Sequence, residues 1–320
     1  MQPFDAFDCF TDDRVVACID IGGTKITAGL ASRRGFAGQV REPTVKTGDA
    51  DALAGQVLRL TQQACERGGV AVSALDAVGV AACGPFSLED GFIELVAPNI
   101  CGGLAGSGRG LPNDWRAVPL ERPLRERLPG VKVANDAVSA LMAERRWGAL
   151  QGIEHCAYVT WSTGVGVGLC VDGRVLHGKH GNAGHAGHMF VNDDPDASLC
   201  GCGNIGDLES QVAGNAIERR FRMDAAALLA AARRGDTGAG DAVDELCRTM
   251  GRALYNLAVT LDLQRISLGG AVFWHNRDLL LPRLVAAISG RLPALTDGLE
   301  LVPAGLGLEV GDYGALALVA

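Results

Sequence analysis

Aromatic side chains make up only 5% of the 320 residues, and lysine supplies just Lys25, Lys46, Lys132 and Lys179 among the 29 basic groups. A basic excess is missing too, since the formal net charge is -8. A surface of that sign repels phosphate backbones, so no nucleic-acid partner is expected. Long apolar runs are also absent. Without about eighteen such residues in a row no helix spans a bilayer, and no membrane partner is expected. Residues 1–14 hold acids where a secretion leader needs a basic start, and no apolar segment follows. A cytoplasmic protein is expected, and the ten scattered cysteines fit reduced thiols in that setting.

What is present is the balance of a globular α/β protein, with 48% hydrophobic and 21% charged residues. The length suits two lobes with one cleft between them. The pattern divides them as residues 1–134, a smaller N-terminal α/β lobe onto which an apolar C-terminal helix at 311–320 packs back, and residues 135–310, a larger α/β lobe. Residues 15–21 read as a short buried strand, Gly22-Gly23 as a turn and residues 24–30 as the returning strand. Residues 51–67 have helical spacing that stops at Gly68-Gly69, and residues 77–82 form another buried strand. The Gly-rich stretch 101–110 has neither pattern and is expected to be a mobile loop. A helix over 119–128 and a strand over 131–134 lead to Asn135-Asp136, which opens a strong helix through Trp147. Residues 156–171 repeat the hairpin design, with Ser162-Thr163-Gly164-Val165-Gly166 at the bend, so two related halves are suggested. Residues 177–209 are loop-like and 213–263 mainly helical. A strand at 266–268 enters Gly269-Gly270, residues 278–292 form a helix, and the last strand is expected to end near Val310.

Asp20-Ile21-Gly22-Gly23-Thr24-Lys25 gathers unobstructed backbone N–H groups, a hydroxyl, an ammonium and a carboxylate within one turn. That combination can cradle phosphate, with Asp20 holding Mg²⁺ through water. A plain Gly-Gly hairpin explains the dipeptide equally well. Thr163-Gly164 in the second bend has the same two readings, but two such loops in one chain fit a triphosphate gripped from two sides. Asn135 and Asp136 fit a helix N-cap as readily as a site. His185, His188 and Glu209 would each pass for surface polar residues were they not crowded around Cys200 and Cys202. Soft sulfurs beside an imidazole suit Zn²⁺.

In this order the motifs resemble those of the ROK family of repressors, open reading frames and sugar kinases, over nearly the whole chain. Asp20 to Lys25 resembles its first phosphate motif, Gly84-Pro85 its sugar-side turn, and Asn135-Asp136-Ala137 with Glu144 and Gly148 its catalytic helix. The bend at Ser162 to Gly166 resembles its second phosphate loop. Gly187-His188 with Cys200-Gly201-Cys202-Gly203-Asn204-Ile205-Gly206 and Glu209 resembles its signature, and Leu268-Gly269-Gly270 its adenosine side. The resemblance implies a two-lobed, actin-like ATPase (ribonuclease H-like) fold of the sugar kinase type, an ATP:hexose 6-phosphotransferase using ATP and Mg²⁺, and a homodimer. It implies sugar binding by Gly84, Asn135, Asp136, His185, His188 and Glu209. ATP and Mg²⁺ would be bound by Asp20, Gly22, Gly23, Thr24, Lys25, Thr163, Gly164, Gly269 and Gly270, with Asp136 as catalytic base. A loose phosphoryl-transfer transition state asks chiefly for positioning and charge neutralisation, so one carboxylate that orients the hydroxyl and takes its proton is enough.

Three positions depart from the family's usual pattern: Cys83 replaces a Pro, His185 a Glu, and Asp207 the third zinc Cys. An Asp oxygen can ligate Zn²⁺, so the structural zinc set becomes His188, Cys200, Cys202 and Asp207, with a weakened or empty site the alternative. A His at 185 removes a negative charge near the sugar and both donates and accepts. With Asp207 in an Arg-rich chain, His185-Ala186-Gly187-His188 is similar to kanosamine kinases, which implies kanosamine (3-amino-3-deoxyglucose) as substrate, with glucose the alternative. A sugar-sensing repressor of the family would carry an N-terminal helix-turn-helix, whereas fourteen residues precede the first strand here. A catalytically dead sugar binder would have no need of Asp20, Thr24 and Asp136.

Overall fold

The computed structural model describes residues 6–10, 13–104, 110–194 and 196–320. Residues 105–109, the middle of the stretch expected to be a mobile loop, lie outside the described residues. The strands β1 (Val15–Ile21), β2 (Lys25–Ser32) and β3 (Gly35–Pro43) form an antiparallel meander. β4 (Ala77–Ala82) joins β1 in parallel. A small antiparallel sheet follows, made of β5 (Phe86–Glu89), β6 (Phe92–Leu95) and β7 (Val118–Pro119), and β8 (Val131–Asn135) then adds to β4 in parallel. The resulting order is β3-β2-β1-β4-β8.

A second five-stranded sheet has the order β11-β10-β9-β12-β13, from β9 (Cys156–Trp161), β10 (Val165–Val171), β11 (Arg174–Val175), β12 (Arg265–Gly269) and β13 (Glu300–Pro303). Its first strand pairs antiparallel with the second and parallel with β12, so both sheets share one design. Each is covered by helices whose apolar residues recur every three or four positions. Helix Ala52–Gly68 buries Leu53, Val57, Leu60 and Ala64 and ends at Gly69, whose φ of 68° only glycine adopts without strain. Helix Thr237–Leu261 buries Leu246, Met250 and Leu254, and the Asp236 side chain caps it by accepting from the Ala239 N–H at 2.8 Å. Each fully buried Leu or Met of this kind contributes about 1.5–3 kcal/mol.

The chain forms two compact units. The first comprises Met1–Trp147, His177–Ala183 and Glu309–Ala320, the second Gly148–Leu176 and Gly184–Leu308. The first unit thus extends past residue 134, because helix Asp136–Trp147 packs on the C-terminal helix Val310–Ala317. That helix also lies on β1 and β4; a Cβ on Gly79 would stand 2.0 Å from the Ala315 carbonyl oxygen. Segment His177–Ala183 belongs to the first unit because the Asn182 carboxamide pairs with both backbone groups of Phe86, each at 2.8 Å. The last strand stops at Pro303 rather than near Val310. At Gly305 a Cβ would stand 2.5 Å from the Ala149 nitrogen, so the chain presses on neighbouring backbone and turns away. The expected helices at 119–128 and 278–292 are shorter, Glu121–Arg125 and Arg277–Ile288. Among the described residues no helix is long and apolar enough to cross a membrane.

Candidate active site

In the first unit the register Ile21↔Ala82↔Asn135 ends β1, β4 and β8 at one level. Gly22, Cys83 and Asp136 therefore follow side by side at the carboxyl edge of a sheet, where open α/β sheets bind ligands. Gly22 donates to the Lys25 carbonyl at 2.9 Å, and the Thr44 hydroxyl donates to the Gly22 carbonyl at 2.7 Å. Thr24 and Lys25 stay exposed at the tip. Gly23 is not simply open to an approaching phosphate: a Cβ there would stand 2.3 Å from the Asn99 Nδ2. A side chain at 23 would have to displace the Asn99 carboxamide, which fills that space.

Asp20 closes the strand before the turn. Burial, and then the nearby Asp312 carboxylate, push its carboxyl up to about 6, against the opposing pull of Lys25 and Arg41. Asp312 is itself pushed up, by burial and then by Glu309, and accepts from the Gln39 Nε2 at 3.2 Å. Asn135 acts as a cap, its Oδ1 accepting from the N–H groups of Ala137 at 3.0 Å and Val138 at 3.3 Å. Capping uses only the oxygen of this carboxamide. One oxygen of Asp136 accepts from the Ala137 N–H at 2.8 Å. Burial holds the Cys83 thiol protonated, and the charges of Asp136 and Asp20 reinforce the effect, so both acids act on one thiol. Gly84 comes next, and its successor Pro85 leads to the Phe86 that Asn182 holds.

In the second unit, Ser162 donates to the Gly164 carbonyl at 2.9 Å to close the bend between β9 and β10. Glu209 lies against that bend: its Oε2 accepts from the Val165 N–H at 3.0 Å and would stand 2.6 Å from a Cβ on Gly164. The pairing Thr160↔Gly269 sets Gly269 and Gly270 beside the same bend, with Thr163 exposed. Short helix Ala186–His188 carries His188, and the rings of His185 and His188 stack at 6.3 Å.

The four residues expected to hold zinc do converge. One ligand atom from each of His188, Cys200, Cys202 and Asp207 lies within 4.8 Å of the others. His188 Nδ1 is 3.0 Å from Asp207 Oδ2, 3.6 Å from Cys202 Sγ and 3.9 Å from Cys200 Sγ. Bonds of about 2.0–2.3 Å to one tetrahedral ion require ligand separations near these values. Asp207 does double duty: Oδ1 caps helix Leu208–Val212 by accepting from the Ser210 N–H at 2.8 Å, while Oδ2 faces the cluster. Its burial pushes its carboxyl up, but the hydrogen bonds from His188 and Ser210 prevail and leave it below the ordinary value. His188 turns Nδ1 rather than Nε2 to this cluster.

Two residues at these edges escaped the sequence reading, Asn99 over Gly23 and Asp312 beside Asp20. Neither belongs to a motif; only tertiary packing brings them there.

Two units that share one sheet design, each with a glycine bend at the end of its first strand, define an ATPase fold of the actin-like sugar-kinase class. The chain belongs to the ROK family, whose model matches residues 16–320, and it is an ATP-dependent hexose kinase of that family. It is 30% identical over 330 residues to a glucokinase of Halalkalibacterium halodurans, covering 96% of this chain and 95% of the relative. It is 32% identical over 270 residues to an N-acetylmannosamine kinase of Escherichia coli, covering 79% of this chain and 82% of that one. Among solved structures, a ROK family glucokinase from Streptomyces griseus in complex with glucose and AMPPNP superposes with a TM-score of 0.75 at 29% identity, over 94% of this chain and 97% of that one.

Proposed function

We propose that the chain transfers the γ-phosphoryl group of ATP to the 6-hydroxyl of a gluco-configured hexose, with Asp136 as catalytic base. The observation that carries this reading is the common level at which β1, β4 and β8 end, which brings the Gly22-Gly23 turn and the Asp136 carboxylate to one sheet edge. Asp136 would orient the hydroxyl and take its proton as the phosphoryl group arrives. Asp20 would hold Mg²⁺ through water, and Thr24, Lys25 and Thr163 would bind phosphate oxygens. Asn135 through its amide nitrogen, His185, His188 and Glu209 are the sugar-binding side chains in this reading, with Gly84 supplying backbone close to the ring. A zinc ion on His188, Cys200, Cys202 and Asp207 would brace the loop that carries His188.

The glucokinase relatives, and glucose in the Streptomyces griseus complex, support a glucose-like ring. A second reading, 3-amino-3-deoxyglucose, rests on His185: an imidazole in place of a carboxylate changes the hydrogen-bonding and charge offered to one ring substituent. ADP release measured with glucose, 3-amino-3-deoxyglucose, mannose, fructose and N-acetylmannosamine separates the readings, with the product's phosphate position read by NMR. The highest kcat/KM is expected for glucose or its 3-amino analogue. Preference for N-acetylmannosamine would refute the gluco assignment, and phosphate on any oxygen but O6 would refute the position.

A further inference from the structure

Asn99 combines three observations that the reaction described so far does not use. Its carboxamide lies over Gly23 of the phosphate turn, with Nδ2 in the space a Cβ would take. The same side chain lies beside Cys83, next to Gly84 of the sugar-side turn. Its Oδ1 is buried and has no hydrogen-bond partner among the described residues.

The position is fixed by its surroundings rather than by exposure. Val96 donates to the Pro85 carbonyl at 3.0 Å, and Ile100 and Cys101 both donate to the Ala97 carbonyl, at 2.9 and 2.7 Å. Asn113 clamps the far side, with Nδ2 donating to the Ile100 carbonyl at 3.1 Å and Oδ1 accepting from Gly102 at 2.8 Å. Ala97 and Ile100 flank Asn99 as fully buried core residues. These contacts hold the backbone on both sides of the half-buried Asn99, whose Oδ1 is the buried atom. Native proteins rarely leave a buried acceptor unmatched, and where one persists a water, an ion, strain or a role in the reaction accounts for it. An apolar residue of similar size would fit the same space without an unmatched oxygen, so the carboxamide is free to serve a ligand.

We propose that Asn99 is a specificity-determining residue whose Oδ1 accepts a hydrogen bond from a hydroxyl of the incoming hexose. The proposal rests on the hexose kinase reading. It joins sugar recognition to the phosphate turn through one side chain, since the carboxamide that meets the sugar with its oxygen packs on Gly23 with its nitrogen. Asn99 takes no part in proton transfer, so its loss acts on sugar binding before turnover.

The test uses the full-length protein and the Asn99→Leu variant, with Asn99→Ala as a second variant should the first fold poorly. Melting temperature without ligand, KM for glucose, KM for ATP and kcat are measured for each. A panel of 2-deoxy-, 3-deoxy- and 4-deoxyglucose follows. Asn99→Leu is expected to melt no lower than wild type, because it removes an unmatched buried acceptor, yet to raise KM for glucose about tenfold while KM for ATP stays within about twofold. One deoxy sugar should lose affinity in wild type and lose nothing further in the variant, which identifies the hydroxyl. A lower melting temperature with unchanged KM for glucose would make Asn99 purely structural and overturn the proposal. Equal losses for all three deoxy sugars in both proteins would overturn it as well, in favour of a buried water on Oδ1. Wild-type protein inert toward every hexose would overturn the kinase reading and this proposal with it, whereas active wild type with an indifferent variant overturns this proposal alone.

Discussion

Replacing Asp20 by Asn should make the ligand-free protein more stable while destroying its activity. The carboxyl is pushed up from 3.8 to about 6 by burial and by Asp312. A raised carboxylate binds more protons in the folded than in the unfolded chain between those two values, so stability falls as pH rises through that window. At about 1.4 kcal/mol per pKa unit the full cost is about 3 kcal/mol, reached above pH 7 and absent below pH 4. Asn cannot ionise and escapes it. Urea unfolding of both proteins without nucleotide or Mg²⁺ should therefore favour Asp20→Asn by up to about 3 kcal/mol at pH 8, with the gap roughly halved at pH 5. Turnover should drop at least about a hundredfold, the scale for losing a charge that neutralises transferring phosphate. A variant no more stable than wild type at pH 8, or a gap that is the same at both pH values, would show that Asp20 carries no such burden.

Asp136→Asn should keep the fold and the sugar KM but lower kcat by about 10²- to 10⁴-fold, read by ADP release; near wild-type turnover removes Asp136 from the mechanism. Purified protein should contain about one zinc per chain by elemental analysis. Cys202→Ser should lose that zinc and raise the KM for hexose more than that for ATP, whereas zinc-free protein fully active in chelator would make the cluster idle. His185→Glu should shift the kcat/KM ratio of 3-amino-3-deoxyglucose to glucose toward glucose by about ten- to a hundredfold. Identical ratios in both proteins would place that choice elsewhere, with Cys83 the next residue to vary.

Much of the scaffold was legible because its signals are local. β1, β4 and the helix opening at Asp136 are marked by apolar runs that end at turn or cap residues, and the two glycine bends stand out in any reading of the chain. The small sheet β5-β6-β7 was not legible, since Ser87, Glu89 and Glu94 interrupt its apolar residues and β7 is only two residues long. β13 was placed too late because Ala304-Gly305-Leu306 continues the apolar run, and nothing local announces that the Gly305 backbone must turn away from Ala149. Asp207 could be read as a metal ligand because it stands where the resembled family has its third zinc Cys, but its second task as an N-cap needed the register of the helix it starts. Asn99 and Asp312 were invisible for a stronger reason: their importance lies in residues far along the chain, Gly23, Cys83 and Asp20.

Gln39 and Asp312, hydrogen-bonded to each other, stand 273 positions apart, and the helix bearing Asp312 covers the strand bearing Asp20. On the ribosome the first of these partners emerges long before the second, by roughly 15 to 60 seconds at ordinary elongation rates. Throughout that interval β1 and β4 lack the helix that seals them, and the narrow seat at Gly79 stays vacant. The second unit, whose last residue precedes that helix, can finish folding while the first waits. Activity that depends on Asp20 should therefore wait for helix Val310–Ala317, and chains cut before Val310 should be inactive rather than partly active.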